Sequence, residues 1–82
     1  MLKIDVQGFE LKCLQGCEDL LDRFQQVYVE CSFVELYEGQ ALADEVIAWL
    51  RDRNFILQGV YNTFYDSKGA AVQGDFLFAN RG

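Results

Sequence analysis

The sequence predicts an α/β fold with the element order β-α-β-α-β-β, in which the last strand is antiparallel to its neighbour. Apolar residues alternate with polar ones at the start of the chain and recur every three or four residues in two later segments, which is the periodicity of strands and helices. Only a short polar turn separates the last two β-rich segments, as in an antiparallel hairpin. With 82 residues, 51% of them hydrophobic, the chain is expected to form a single domain over residues 1–82.

A change of period separates the first predicted strand from the first predicted helix. Leu2, Ile4 and Val6 alternate with polar residues, so we predict a strand over residues 2–6. From residue 9 to residue 24 the apolar spacing becomes three and four, which predicts a helix with one apolar face. That face carries Cys13, Leu14, Cys17, Leu20, Leu21 and Phe24. The opposite, polar face carries Glu10, Lys12, Gln15, Glu18, Asp19 and Asp22.

The middle of the chain repeats the strand-then-helix pattern. Residues 27–31 are rich in β-formers and predict a second strand, and residues 35–40 predict a loop. Helical spacing returns over residues 42–50, and Asn54 is a plausible stop for this helix. Alternation of strands with helices predicts parallel pairing of the successive strands.

The end of the chain predicts a hairpin. Residues 55–61 and 72–79 are the third and fourth predicted strands, and residues 66–69 form the turn between them. Gly69 suits a turn position with positive φ. The predicted architecture is a four-stranded sheet covered by helices, with two or three layers in all.

Composition excludes several classes of function. The net charge is −6 and no basic stripe is present, which argues against nucleic-acid binding. The chain has no histidine, so a histidine general base and histidine-ligated metal are excluded. No apolar run is long enough to span a bilayer, so we expect no membrane association.

The three cysteines are predicted to be reduced thiols in a cytoplasmic protein. Their odd number does not suggest a disulfide framework. Cys13 and Cys17 lie four residues apart and supply only two metal ligands, so no metal site is expected. We predict instead that both are buried in the helix–sheet core.

Three short motifs point to a known family. Residues 3–8 read Lys-Ile-Asp-Val-Gln-Gly, residues 14–16 read Leu-Gln-Gly, and residues 36–39 read Leu-Tyr-Glu-Gly. In this succession the chain resembles the carboxy-terminal half of the FkbM-type methyltransferases, which depend on S-adenosylmethionine and have the class I Rossmann-like fold. The resemblance covers essentially the whole chain. The family usually has Glu at the position of Gln7.

The resemblance implies a partial Rossmann-like sheet. The family sheet has seven strands, of which the four here would be the fourth to seventh, with the spatial order 1-2-4-3 in this chain. The glycine-rich loop and the acidic residue that hold the cofactor would lie outside the chain. The complete enzyme is therefore expected to use S-adenosylmethionine to methylate a small-molecule acceptor, often at a hydroxyl oxygen. The 82-residue chain alone is expected to be inactive and to bind the cofactor weakly or not at all.

Candidate site residues follow the first two strands. Ligands of open α/β sheets bind beyond the carboxyl ends of the strands, where Asp5, Gln7 and Gly8 are expected to contact the cofactor. Asp5 is also the candidate catalytic residue, assisting proton removal from the acceptor. The alternative is that Asp5 caps the following helix or pairs with Lys3.

Glu30, Tyr37 and Glu38 are the candidate substrate-binding residues. Glu30 lies within an otherwise apolar strand, so it needs either a partner, such as a salt bridge, or a cleft. Tyr37 and Glu38 belong to the loop after that strand, and plain solvent exposure is the alternative for both.

The alternative function is a truncated, non-catalytic α/β module that associates through its first strand. The outer edge of residues 2–6 is expected to present unpaired backbone groups. A homodimer through this edge would place Lys3 of one chain opposite Asp5 of the other.

Overall fold

The computed structural model describes residues 1–4 and 10–81. Its elements alternate as the sequence predicts, with a 3-10 helix added after the first α-helix. In chain order they are β1 (Leu2–Ile4), α1 (Glu10–Gly16), the 3-10 helix (Glu18–Arg23), β2 (Gln26–Ser32), α2 (Ala43–Arg51), β3 (Phe55–Tyr65) and β4 (Ala71–Asn80).

The strands form one open sheet with the order β1-β2-β4-β3. β1 pairs in parallel with β2, with Ile4 opposite Val29. β4 lies between β2 and β3 and is antiparallel to both. The mixed α/β class, the strand order and the antiparallel hairpin are therefore confirmed.

The core lies on one face of the sheet. Val27 and Val29 of β2 are opposite Phe78 and Phe76 of β4, and all four side chains are buried. The apolar faces of the helical segments pack against them through Leu14, Leu21, Val46 and Leu50, each at most 2% exposed. Residues alternate across the strands, so the other face carries half-exposed side chains such as Tyr28 and Leu77.

The first helix is shorter than predicted, and this changes which residues are buried. α1 ends at Gly16, where glycine disfavours the helix, and the 3-10 helix follows with three residues per turn instead of 3.6. Side chains spaced for an α-helix therefore no longer share one face. The predicted burial of Cys13 is wrong because it is exposed, and Cys17 is only half-buried. Leu20 is 46% exposed.

Glu10 also departs from the prediction. It was expected on the polar face of the first helix, but it is only 4% exposed. It lies in the first turn of α1, where a carboxylate suits the positive end of the helix dipole.

The remaining boundaries confirm the local signals in the sequence. Asn54 follows α2 with φ of 69°, and Gly69 has φ of 84° in the hairpin turn. The Asp66 carboxylate accepts hydrogen bonds from the amides of Lys68 and Ala70, both at 2.9 Å. β3 is longer than predicted and its register with β4 shifts at several points. Within residues 1–4 and 10–81, no helix is long and apolar enough to cross a membrane.

Candidate functional site

The carboxyl ends of β1 and β2 lie side by side. The last residue of β1, Ile4, pairs with Val29, and β2 continues to Ser32 before the loop of residues 33–42. Asp5, Gln7 and Gly8, the candidate catalytic and cofactor residues, lie outside the described residues. What the structure does describe is the second strand, its loop and α1 beside them.

Buried polar side chains concentrate around this edge. Among the described residues, Glu10, Ser32 and Gln40 are the buried polar or charged ones. Ser32 is the last residue of β2, and Gln40 lies in the loop that follows. Glu10 is close enough to Cys31 of β2 for its charge to raise the pKa of that thiol. Burying polar groups costs free energy unless they are hydrogen-bonded, so the partners of these side chains matter for the structure of this edge.

The Gln40 side chain joins the loop to the end of β2. Its Oε1 accepts hydrogen bonds from the amides of Leu36 at 2.9 Å and Tyr37 at 3.3 Å. Its Nε2 donates to Ser32 Oγ at 2.8 Å. One buried side-chain amide therefore links the loop to the end of β2.

A cleft of about 330 Å³ opens between α1 and this loop. Its walls combine one ammonium, two side-chain amides and two carboxylates with apolar groups, so it offers both donors and acceptors of hydrogen bonds. The lining residues are Leu11, Lys12, Gln15, Glu38, Gly39, Gln40, Ala41 and Glu45. Glu38 thus lines a cleft, while Tyr37 is 43% exposed and lies outside that lining.

Glu30 lies in different surroundings. It lines a cavity of about 210 Å³ with Lys3, Tyr28, Asn62 and Asp75, which has no lining residue in common with the cleft. Glu30 is half-buried and stands opposite Asp75 in the β2–β4 register. The structure therefore brings Glu38 to the cleft beside α1 and places Glu30 on the other face of the sheet.

Asp75 is the centre of the polar network in that second cavity. It accepts a hydrogen bond from Asn62 Nδ2 at 3.0 Å, and Asn62 has a positive φ of 53°. Burial, followed by the charge of Asp75 and a hydrogen bond to it, raises the pKa of the Tyr28 phenol. Lys3 Nζ lies 5.9 Å from the centre of the Tyr28 ring. The phenol is thus kept neutral beside an oriented carboxylate.

The cysteines offer no reactive thiol at this edge. Burial raises the pKa of the Cys31 thiol to about 12, and the nearby charges of Glu10, Glu30 and Asp75 add to the shift. Because the thiolate is the nucleophile, Cys31 is inert at neutral pH. In the part of the chain that the structure describes, no group of three acidic, cysteine or histidine side chains is placed to hold a metal.

Comparison with known families identifies the domain family of this chain. The profile of the Methyltransferase FkbM domain matches residues 1–57, which is more than half of the chain. The chain belongs to the FkbM methyltransferase domain family. No curated protein and no solved structure matches it. The match of this FkbM domain runs from β1 to the start of β3, so it includes the carboxyl edge, the loop and the cleft.

Sequence reasoning missed Glu10, Ser32 and Gln40 in this FkbM domain. Glu10 has the spacing of a polar-face residue, yet it is buried together with Leu14 on one face of α1. Ser32 and Gln40 flank a loop whose residues are otherwise exposed. The available signal was that Gln40 directly follows the Leu-Tyr-Glu-Gly motif of residues 36–39.

Proposed function

We propose that this chain is the carboxy-terminal part of an S-adenosylmethionine-dependent methyltransferase that methylates a hydroxyl oxygen of a small-molecule acceptor. The observation that carries the proposal is the FkbM match over residues 1–57. It spans the two parallel strands whose carboxyl ends would face the reacting groups.

The residues at this edge fit one end of the cofactor. Asp5, Gln7 and Gly8 would hold the sulfonium end, where the Asp5 carboxylate suits a cationic group. Bound there, S-adenosylmethionine would supply an electrophilic methyl group. The sequence has no G-x-G-x-x-G motif, so the nucleoside end would be held by residues outside this chain.

The work of the chain itself is orientation and proton removal. Asp5 follows Ile4 at the end of β1, where a carboxylate would accept the hydroxyl proton as the oxygen attacks. Tyr37 and Glu38 would hold the acceptor from the loop after β2, because Glu38 already lines the cleft. Glu30, in the cavity with Tyr28 and Asp75, would contact only a part of the acceptor that reaches the other face.

Label transfer tests this function. The complete protein that contains this chain is incubated with methyl-labelled S-adenosylmethionine and a panel of hydroxyl compounds. We expect labelled methyl ether, and we expect Asp5→Asn to lower kcat by about 100-fold or more. Asp19→Asn, at an exposed position of the 3-10 helix, is the matched control and should keep the activity. Absence of transfer to every oxygen acceptor would contradict the proposal.

One observation favours the second candidate, a non-catalytic module that self-associates. β1 and β3 are the two edges of the described sheet, and register shifts interrupt β3, as in edges protected against pairing. β1 is the regular edge and is therefore the surface through which a second copy would add. The three free cysteines suit a reducing compartment such as the cytoplasm.

A further inference from the structure

We propose that Gln40 is a positioning residue for the acceptor: its side-chain amide locks the loop of residues 33–42 in the conformation that presents Tyr37 and Glu38. This inference rests on the methyltransferase function proposed above. It concerns the acceptor side of the site and assigns Gln40 no contact with the reacting atoms.

Apolar packing holds the two ends of this loop, where the Phe33 ring lies 5.5 Å from that of the buried Phe76 and Ala41 packs against the core. Between these ends the loop is exposed, including Val34 at 44% and Leu36 at 47%. The middle of the loop therefore has little of the burial that normally fixes a backbone conformation against its entropy. Gln40, only 7% exposed, is the first buried residue after this run.

The Gln40 side-chain amide links the middle of the loop to the end of β2. Its oxygen accepts hydrogen bonds from the backbone amides of Leu36 and Tyr37. Its nitrogen donates a hydrogen bond to Ser32, which is 3% exposed. The amide thus ties the middle of the loop to the rigid end of β2. Among the described residues, no buried side-chain nitrogen or oxygen lacks a partner, so removing this amide would leave Ser32 and two loop amides to be satisfied by water.

The locked turn brings Glu38 to the cleft. The backbone amide of Gln40 donates to the Tyr37 carbonyl at 3.0 Å. Gly39 has φ of 76°, which glycine adopts readily. The Gly39 amide also donates to the Glu35 carboxylate at 3.2 Å. Glu38 is therefore the apex of a tight turn that is anchored on both sides, and it lines the cleft together with Gly39 and Gln40.

The chemical step and the loop are separable in this arrangement. Asp5 follows β1, whereas the Gln40 bonds all lie between β2 and its loop. Without the Gln40 side-chain amide, the loop would adopt many conformations. The affinity for the acceptor would then fall in proportion to the fraction of molecules whose loop has the binding conformation. Cofactor binding and the rate from the bound complex would change little.

The test compares Gln40→Leu with Gln40→Glu and with a control, Gln58→Leu, at an exposed position of β3. In the Glu variant the carboxylate accepts the same two amides and Ser32 turns to donate. Kinetics on the complete protein use labelled S-adenosylmethionine and the best hydroxyl acceptor of the panel. We expect Gln40→Leu to raise the acceptor KM about 10-fold or more, with kcat and cofactor KM within about twofold, and Gln40→Glu to restore most of the loss.

Amide hydrogen exchange supplies the second readout. In Gln40→Leu we expect the amides of Leu36 and Tyr37 to exchange about 10-fold faster, while amides of α2 keep their rates. Faster exchange throughout the sheet, or unchanged exchange at both loop amides, would overturn the inference. So would an unchanged acceptor KM in an active enzyme. An inactive wild-type enzyme would instead contradict the proposed function, while the exchange data would still decide whether Gln40 locks the loop.

Discussion

The Arg53 guanidinium stacks on the ring of Trp49, with its central carbon 3.7 Å from the ring centre. The same side chain donates from Nε to a Glu18 carboxylate oxygen at 2.9 Å and from Nη1 to the Trp49 carbonyl at 2.9 Å. Arg53 therefore ties the end of α2 to the 3-10 helix. This contact adds to the burial of Leu21, which packs the 3-10 helix against the core.

We expect Arg53→Ala to lower the free energy of unfolding by about 1–2 kcal/mol, from the lost stacking and hydrogen bonds. The ion pair contributes little because both side chains are partly exposed. Arg51→Ala, at an exposed position of the same helix, is the matched control and should change it by less than about 0.5 kcal/mol. Urea unfolding followed by Trp49 fluorescence measures both, and equal losses would contradict this role for Arg53.

Cys31 predicts a loss of stability at alkaline pH. Its pKa is raised from 9.0 to about 12 in the folded protein, so the unfolded chain releases this proton first. The contribution of the protonated Cys31 thiol to the free energy of unfolding is complete below about pH 9. It is lost progressively as the pH rises toward 12. At pH 10 the loss is about 1.4 kcal/mol. Urea unfolding at pH 8 and pH 10 should show this decrease for the wild type and a smaller one for Cys31→Ala; parallel decreases would refute the assignment.

Thiol reactivity should follow the observed exposure and not the original helix prediction. Cys13 is exposed, Cys17 is half-buried with its pKa raised by burial and by Cys13, and Cys31 is buried. A thiol reagent should therefore modify Cys13 first, Cys17 more slowly and Cys31 only after denaturation. Cys13→Ser should remove the fast phase. Persistence of that phase in the variant would show that another thiol is accessible.

Self-association through β1 stays a prediction, and reversing the charge of a lysine at this edge tests it. In an antiparallel dimer centred near Ile4, Lys3 would lie opposite Asp5 of the second copy, so Lys3→Glu should weaken the dimer by placing like charges together. Lys12→Glu makes the same change of net charge on an exposed residue of α1 and should leave the dimer intact. Light scattering over a dilution series compares the two. A wild-type monomer at tens of micromolar, or equal effects of both variants, would exclude this interface.

The sequence predicted the sheet but not the exposure of Cys13 or the burial of Gln40. The strand order followed from the family resemblance, whereas the turn at Gly69 could be predicted from turn chemistry alone because it depends on local pattern. The exposure of Cys13 was not predictable, because α1 buries the face of Glu10 and Leu14, whereas the sequence pattern placed Glu10 on the polar face. The burial of Gln40 was hidden for a similar reason. Nothing in its neighbours distinguishes a buried amide from an exposed one until Ser32 and the loop amides are brought together.

Isothermal titration of S-adenosylmethionine tests the central claim most directly, because the claim assigns this chain to a methyltransferase whose nucleoside pocket lies in other residues. We predict that the complete protein gives saturable heat and that the 82-residue chain at micromolar concentration gives none. The account would be contradicted by low-micromolar binding to the 82-residue chain alone, about −8 kcal/mol, or by no binding to the complete protein.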